Sequence, residues 1–258
     1  MSDPIRSPLL FHEQTRAELR ARAAETLVIL PVAAVEQHGP HLPVGTDWLV
    51  VEHIARAAAT VAAQQIPVLV TPTLPFGSSQ HHIPFGGTLS FTTSVYYQLL
   101  MDLTSSLVAD GFQRIFIING HGGNNEIIQL VARDTALQQP VQIAAAGYWT
   151  IAWDDLIATG AHLGQRLPGH AGAFESSLIL ALRPELVQEP RPHRDGVGDT
   201  NPRGFYQPYR SELHGSWQRI DGYSDSPDRG SVERGTTYLN AIIPAVARAF
   251  LSFYEATR

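Results

Sequence analysis

The chain predicts a three-layer α/β/α fold around a mainly parallel central sheet, and three observations predict it. Short runs rich in Val, Ile and Leu alternate with longer segments whose apolar residues recur at three- and four-residue steps, the order expected of strand-helix-strand units with right-handed crossovers. The runs are apolar at consecutive positions, as in strands covered on both faces. The side chains able to ligate or transfer protons follow these runs directly, and open parallel sheets bind ligands outside the carboxyl ends of their strands.

The elements follow in order. Gln14 to Ala24 carries alternating charge on good helix formers and predicts an opening helix. Leu27 to Val35 predicts the first strand, and from Asp47 onward Leu49, Val50, Ile54, Ala57 and Ala58 mark one face of a helix. Pro67 to Val70 predicts a short second strand, residues 71 to 92 a loop rich in Gly, Pro and His, and Ser94 to Asp110 a helix stopped by Gly111. Arg114 to Ile118 predicts the third strand, followed by NGHGGNN and a helix from about Asn125 to Leu137. Val141 to Ala146 predicts the fourth, leading into an aromatic loop with Tyr148 and Trp149. Residues 186 to 235 lack periodicity and are expected to form an ordered cap over the site or a subunit contact, because a mobile linker would expose Phe205, Tyr206, Tyr209, Trp217 and Tyr223. Thr237 to Tyr254 predicts a closing helix, and residues 1–258 are read as a single domain.

Composition narrows the chemistry. With 44% apolar and 16% charged residues and no low-complexity tract, the chain is expected to fold over most of its length. Its apolar runs fall short of the roughly 20 residues that span a bilayer, and no basic, then apolar, leader is seen, so a cytoplasmic protein away from membranes is expected. A net charge of −6, with arginines scattered rather than gathered into a stripe, argues against nucleic acid as a partner. Absence of cysteine removes disulfides, thiolate nucleophiles and sulfur ligands. All 18 basic residues are arginine, which excludes Schiff-base chemistry and the P-loop lysine. Catalysis is left to His, Asp, Glu, Ser, Tyr or a metal.

Glu36, His38, His41 and Asp47 lie within twelve residues after the first strand, in EQHGPHLPVGTD. Glu36 and His38 share one side of an extended segment, and Asp47 returns to them after a turn; the alternative is a surface loop in which Thr46 or Asp47 caps a helix. Imidazole nitrogen and carboxylate oxygen suit borderline divalent metals such as Zn2+. In NGHGGNN, His121 beside glycines reads as a ligand needing close backbone approach, against a phosphate cradle that lacks both the G-x-G-x-x-G order and a lysine. GHAGAFESS places His170 and Glu175 five residues apart, a possible general acid or base and a further ligand, or an ordinary helix start. His81 and His82 sit in GSSQHHIPFGGT, as gates to the pocket or as solvated loop residues.

Taken in register, EQHGPHLPVGTD, FGSSQHHIPFGGTLSF, NGHGGNN and HAGAFESS resemble the creatininase (creatinine amidohydrolase) family, over roughly residues 25 to 185, with a looser likeness in GYSDSPDRGSVERG. The resemblance implies an α/β/α fold, a binuclear site for Zn2+, Mn2+ or Fe2+, hydrolysis of a non-peptide amide, and a homo-oligomer, often a hexamer. On matching positions, Glu36 and His121 would hold one ion, His38 the other, Asp47 would bridge them, and His170 would be the catalytic histidine. Creatininase proper has Tyr and a metal-binding Glu after the NGH histidine, where this chain has Gly122 and Gly123. Glu175 is therefore nominated as the replacement ligand, and the NGHGGN form is that of other branches, resembling formamide deformylases and a peptide-processing amidase.

The implied mechanism is attack on a small amide or lactam carbonyl by hydroxide bridging two divalent ions, with His170 protonating the leaving nitrogen. Ser78, Ser79, His82 and Trp149 are the expected substrate contacts. Alternatives are a hydrolase of a sugar or cyclitol ketone using the same ions, a peptide-processing amidase, and a non-enzymatic protein that binds a small amide.

Overall fold

The structure, a computed structural model, describes residues 7–163, 165–196 and 213–258. Four strands, β1 (Leu27–Val32), β2 (Val68–Val70), β3 (Arg114–Asn119) and β4 (Gln142–Gly147), form a sheet in the order β2-β1-β3-β4, with every pairing parallel. The helices α2 (Thr46–Ala62), α3 (Thr93–Ala109) and α4 (Asn125–Gln138) make the three crossovers. After β2 has added to one edge of β1, the chain returns to place β3 on the other, so the strand order reverses between β1 and β3. That reversal opens a crevice at the carboxyl ends of these two strands, the usual ligand position in such sheets.

Alternate residues of each strand enter two separate cores, which is why the strands are apolar at consecutive positions. Leu27, Ile29, Phe116 and Ile118 pack beneath α2, α7 (Ala173–Leu182) and α8 (Val232–Ala256). Val28, Leu30, Val32, Ile115 and Ile117 pack against α3 and α4 on the opposite face. Each such side chain, once buried, stabilises the fold by about 1.5–3 kcal/mol, and the two cores together make the three layers. Among the described residues no helix is long and apolar enough to cross a membrane.

Several boundaries differ from expectation. The opening helix is α1 (Arg16–Arg22), started by a capping box in which Thr15 and Glu18 each accept the other's backbone N–H. β1 ends at Val32 rather than Val35, because the chain then leaves its neighbour strands: the Ala33 N–H donates to Leu74 O and the Glu36 N–H to Val44 O. Tyr148 and Trp149, expected in a loop, begin the short helix α5 (Tyr148–Ile151), which leads into α6 (Trp153–Ala158). α8 starts five positions earlier than its apolar periodicity, where the Ser231 side chain accepts the Arg234 N–H. Of the segment expected to cap the site, 197–212, with Phe205, Tyr206 and Tyr209, lies outside the described residues, while 213–230 packs against the loop before α7.

Candidate metal centre

Four chain segments meet at the crevice. Glu36 and His38 follow β1, Asp47 is the second residue of α2, His121 follows β3, and His170 and Glu175 flank the start of α7. The strand ends aim their loops inward, and the first turns of α2 and α7 place carboxylates where helix dipoles favour negative charge. All six side chains are buried, Glu36 and His38 completely.

Asp47 stands between two histidines. Its Oδ1 lies 3.2 Å from His38 Nε2 and its Oδ2 3.1 Å from His121 Nδ1. Glu36 Oε1 is 3.1 Å from the same His121 nitrogen, and Glu175 Oε2 is 3.8 Å from His38 Nε2. Two donor sets therefore share one carboxylate: Glu36, His121 and Asp47 Oδ2, and His38, Glu175 and Asp47 Oδ1. His170 Nδ1 and His82 Nε2 face Glu36 Oε1 from 3.5 and 3.7 Å. Ligand atoms of Glu36, His38 and Asp47 fall within 4.8 Å of one another, as do those of His38, His170 and Glu175.

The far side of each ring explains the near side. His38 Nδ1 lies 3.0 Å from the carbonyl oxygen of Glu36, and His121 Nε2 lies 3.1 Å from that of Ser78. A carbonyl only accepts, so each outer nitrogen donates and each inner nitrogen faces the carboxylates, where on losing its proton it offers the lone pair of a metal-ligating histidine. Glu36 Oε1 and Oε2 and Asp47 Oδ2 are buried with no hydrogen bond among the described residues. Buried anionic oxygens are costly unless a cation, an imidazolium or a metal ion, lies against them. The N and O donors fit Zn2+ or Mn2+, and soft, sulfur-dependent sites are excluded.

The same carboxylates also favour protons on the inner nitrogens of His38 and His121, protons that a metal ion would displace. Burial works against charge on His38, yet Asp47, Glu175 and Glu36 outweigh it and push its pKa to about 10. His121 is raised in the same way by Glu36 and Asp47, again against burial. Burial opposes ionisation of Glu36, but the charge of His121 outweighs it and holds the carboxyl well below the usual range. Burial pushes Glu175 up to about 8, with His38 opposing. His170 and His82 are driven down by burial, His82 to about 3, and are neutral imidazoles at ordinary pH.

Other expected site residues take different places. Ser78 and Ser79 reach the cluster, but their bonds go to His121: Ser78 through its carbonyl, Ser79 through Oγ, 3.1 Å from His121 Nε2. Both thereby help to orient the His121 ring. Trp149 packs in the core against Tyr148, whereas Trp217, in the segment expected to cap the site or make a subunit contact, sets its ring 4.8 Å from His82, 5.1 Å from His170 and 5.8 Å from His81. His41 leaves the cluster and pairs with Ser176 of α7 at 3.0 Å. A Cβ at position 123 would lie 2.5 Å from Ser78 O and overlap His121, so this backbone has no room for the glutamate of creatininase proper. Sequence reasoning missed Gln37, Ser224 and Asp225; the one signal for Gln37 was its place between Glu36 and His38.

The family model for creatininase, described as creatinine amidohydrolase, matches residues 12–250. The mycofactocin precursor peptide peptidase of Mycobacterium ulcerans is 31% identical over 187 residues, covering 70% of this chain and 68% of that one. Creatinine amidohydrolase of Pseudomonas putida is 29% identical over 258 residues, covering 93% and 94%. The 3-dehydro-scyllo-inosose hydrolase of Thermotoga maritima is 29% identical over 198 residues, covering 76% and 61%. A crystal structure of creatinine amidohydrolase superposes with a TM-score of 0.79 at 26% identity, covering 96% of this chain and 98% of that one. Two further creatininases, a manganese form and a mutant of Zn–Zn type, superpose at 0.75 and 0.77 with 27% identity, each covering 96% and 99%. The likeness extends over both cores and all four segments of the crevice, and the chain belongs to the creatininase (creatinine amidohydrolase) family, as a hydrolase of that family.

Proposed function

We propose that the protein is a metal-dependent hydrolase of a small non-peptide amide or lactam, with Glu36, His121 and Asp47 holding one divalent ion and His38, Glu175 and Asp47 a second. The observation that carries this is Asp47, whose two oxygens each face the inward nitrogen of a different histidine. Divalent ions held there would polarise a carbonyl and acidify water, lowering its pKa toward about 7. The chain's own residues supply the rest. His170 has its Nε2 2.9 Å from the carbonyl of Gln37, so it donates there and keeps Nδ1 free to take the proton of the attacking water. Burial makes the resulting imidazolium a strong acid, able to pass that proton to the leaving nitrogen. Glu175 is held by the N–H of Ala171 at 2.5 Å, and Trp217 covers the histidine cluster and limits entry of bulk water.

The test is elemental mass spectrometry of the purified protein and of Glu36→Ala and Glu175→Ala, followed by a screen of creatinine, formamides and lactams. About two ions per chain, partly lost in each variant, with turnover of one of these amides, is the expected result. One ion that ignores Glu175 would remove the second site, and no metal would end the proposal. A second reading is amide cleavage in a peptide, supported by the likeness to a peptide peptidase. Cleavage of peptides, but of none of the small amides, would select it.

A further inference from the structure

Gln37 is the residue of the EQH segment whose side chain the proposed chemistry leaves unassigned, and it is buried between two rings that face the centre. Its Oε1 accepts the Gly39 N–H at 2.9 Å. Its Nε2 therefore points the other way, 2.9 Å from the carbonyl of Gly222 and 2.9 Å from His82 Nδ1. The reverse amide orientation would set two oxygens together at Gly222 and two N–H groups together at Gly39. Both amide hydrogens are thus spent, one on Gly222 and one on His82 Nδ1. His170 Nε2 also lies 3.0 Å from this amide nitrogen, but it bonds to the Gln37 main-chain carbonyl.

The consequence falls on His82. A ring nitrogen that accepts carries no proton, so neutral His82 keeps its hydrogen on Nε2, the atom turned toward the centre. At 3.7 Å from Glu36 Oε1 that N–H makes no direct hydrogen bond. His82 and His170 are stacked, centroids 4.2 Å apart and planes within 15°, yet they offer opposite functions: a hydrogen from His82 and a lone pair from His170. A Cβ at position 222 would come within 2.8 Å of the Gln37 amide, so glycine there is what allows this contact.

We propose that Gln37 is a positioning residue that locks His82 in the Nε2–H form, and that this N–H donates to the substrate carbonyl oxygen as it gains negative charge. The second half rests on the amide hydrolase reading; the tautomer lock stands apart from it. No proton leaves His82 in this step, so His170 remains the group that moves one. Donors placed at a developing oxyanion act through a hydrogen bond that strengthens in the transition state.

The experiment labels the histidines of the zinc-loaded protein with nitrogen-15 and reads the ring tautomer by two-bond correlation, with His82 assigned by the signal missing in His82→Asn. The expected wild-type result is an unprotonated Nδ1 and a protonated Nε2. In Gln37→Glu a carboxylate can only accept, so the proton moves to Nδ1, and kcat falls about 10²-fold while KM and zinc content stay within about twofold. Gly222→Ala, which displaces the amide from outside the centre, moves the tautomer and kcat in the same direction. A wild-type His82 protonated on Nδ1, or a Gln37→Glu variant with its tautomer unchanged, overturns the lock. A shifted tautomer with unchanged kcat overturns the donation. A wild type that hydrolyses no amide but keeps the Nε2–H form removes the hydrolase reading and the donation with it, and leaves the lock in place.

Discussion

Asp225 accepts, through Oδ1, the backbone N–H of Ala173 at 2.7 Å, although the two lie 52 positions apart. Ala173 is the first residue of α7, whose own N-cap position, Gly172, has no side chain to offer. The neighbouring Ser224 donates its N–H to His170 O and accepts the His170 N–H through Oγ, both at 2.9 Å. Between these ties Ala171 is held in the left-handed region at φ 49°, a conformation that costs a non-glycine residue about 1 kcal/mol or more. The distant clasp presents both His170 and Glu175 to the centre.

Asp225→Ala is expected to lower stability by about 3 kcal/mol, the range for losing charged hydrogen bonds and leaving a buried N–H unpaired, and to reduce turnover through His170 and Glu175. Asp225→Asn keeps an acceptor for Ala173 and should cost about 1 kcal/mol. Denaturant unfolding with kcat on the same samples checks both. An alanine variant as stable as the parent would show that the clasp is dispensable.

Restoring the glutamate of creatininase proper at position 123 is expected to weaken metal binding. A side chain there displaces the Ser78 carbonyl from His121, and loss of such an outer hydrogen bond costs about 10- to 100-fold in metal affinity. Zinc titration against a chelating dye should show Gly123→Glu weaker than the parent. Gly122→Ala, whose Cβ meets nothing within 4 Å among the described residues, should match it. Tighter zinc in Gly123→Glu would refute the packing argument.

His41 gives the fold an acid-sensitive element away from the donor sets. Burial, with the charges of His38 and Arg191, lowers its pKa from 6.5 to about 4. Between these values the unfolded chain binds a proton that the folded one refuses. The stabilising contribution is therefore complete above pH 6.5 and is lost as pH falls toward 4, at up to about 1.4 kcal/mol per pH unit and about 3 kcal/mol in all. His41→Gln, which can still reach Ser176, should flatten the dependence of unfolding free energy on pH in this window. An unchanged slope would place the acid sensitivity elsewhere.

The strands were legible because burial on two faces leaves a local mark, an unbroken apolar run, and each run carries its loop to the same edge of the sheet. That was enough to name Glu36, His38, Asp47, His121, His170 and Glu175 in advance, and the structure gathers all six. An aromatic just after a strand suits a core as well as a site, and Trp149 packs in the core. The sequence leaves the segment of Trp217 open between a cap over the site and a subunit contact; its neighbours in the chain do not tell that its ring meets His82 and His170.

By itself the sequence determined the parallel α/β architecture, the donor types and the exclusion of sulfur and lysine chemistry, since these depend on residue identity and on periodicity along a few turns. Only the tertiary structure decided which nitrogen of each histidine faces inward, that Asp47 divides its oxygens between His38 and His121, that position 123 is closed to a side chain, and that Ser224 and Asp225 hold the loop of His170. Those outcomes depend on hydrogen bonds and close contacts between segments tens of residues apart, and separation along the chain carries no information about which carbonyl or carboxylate will arrive.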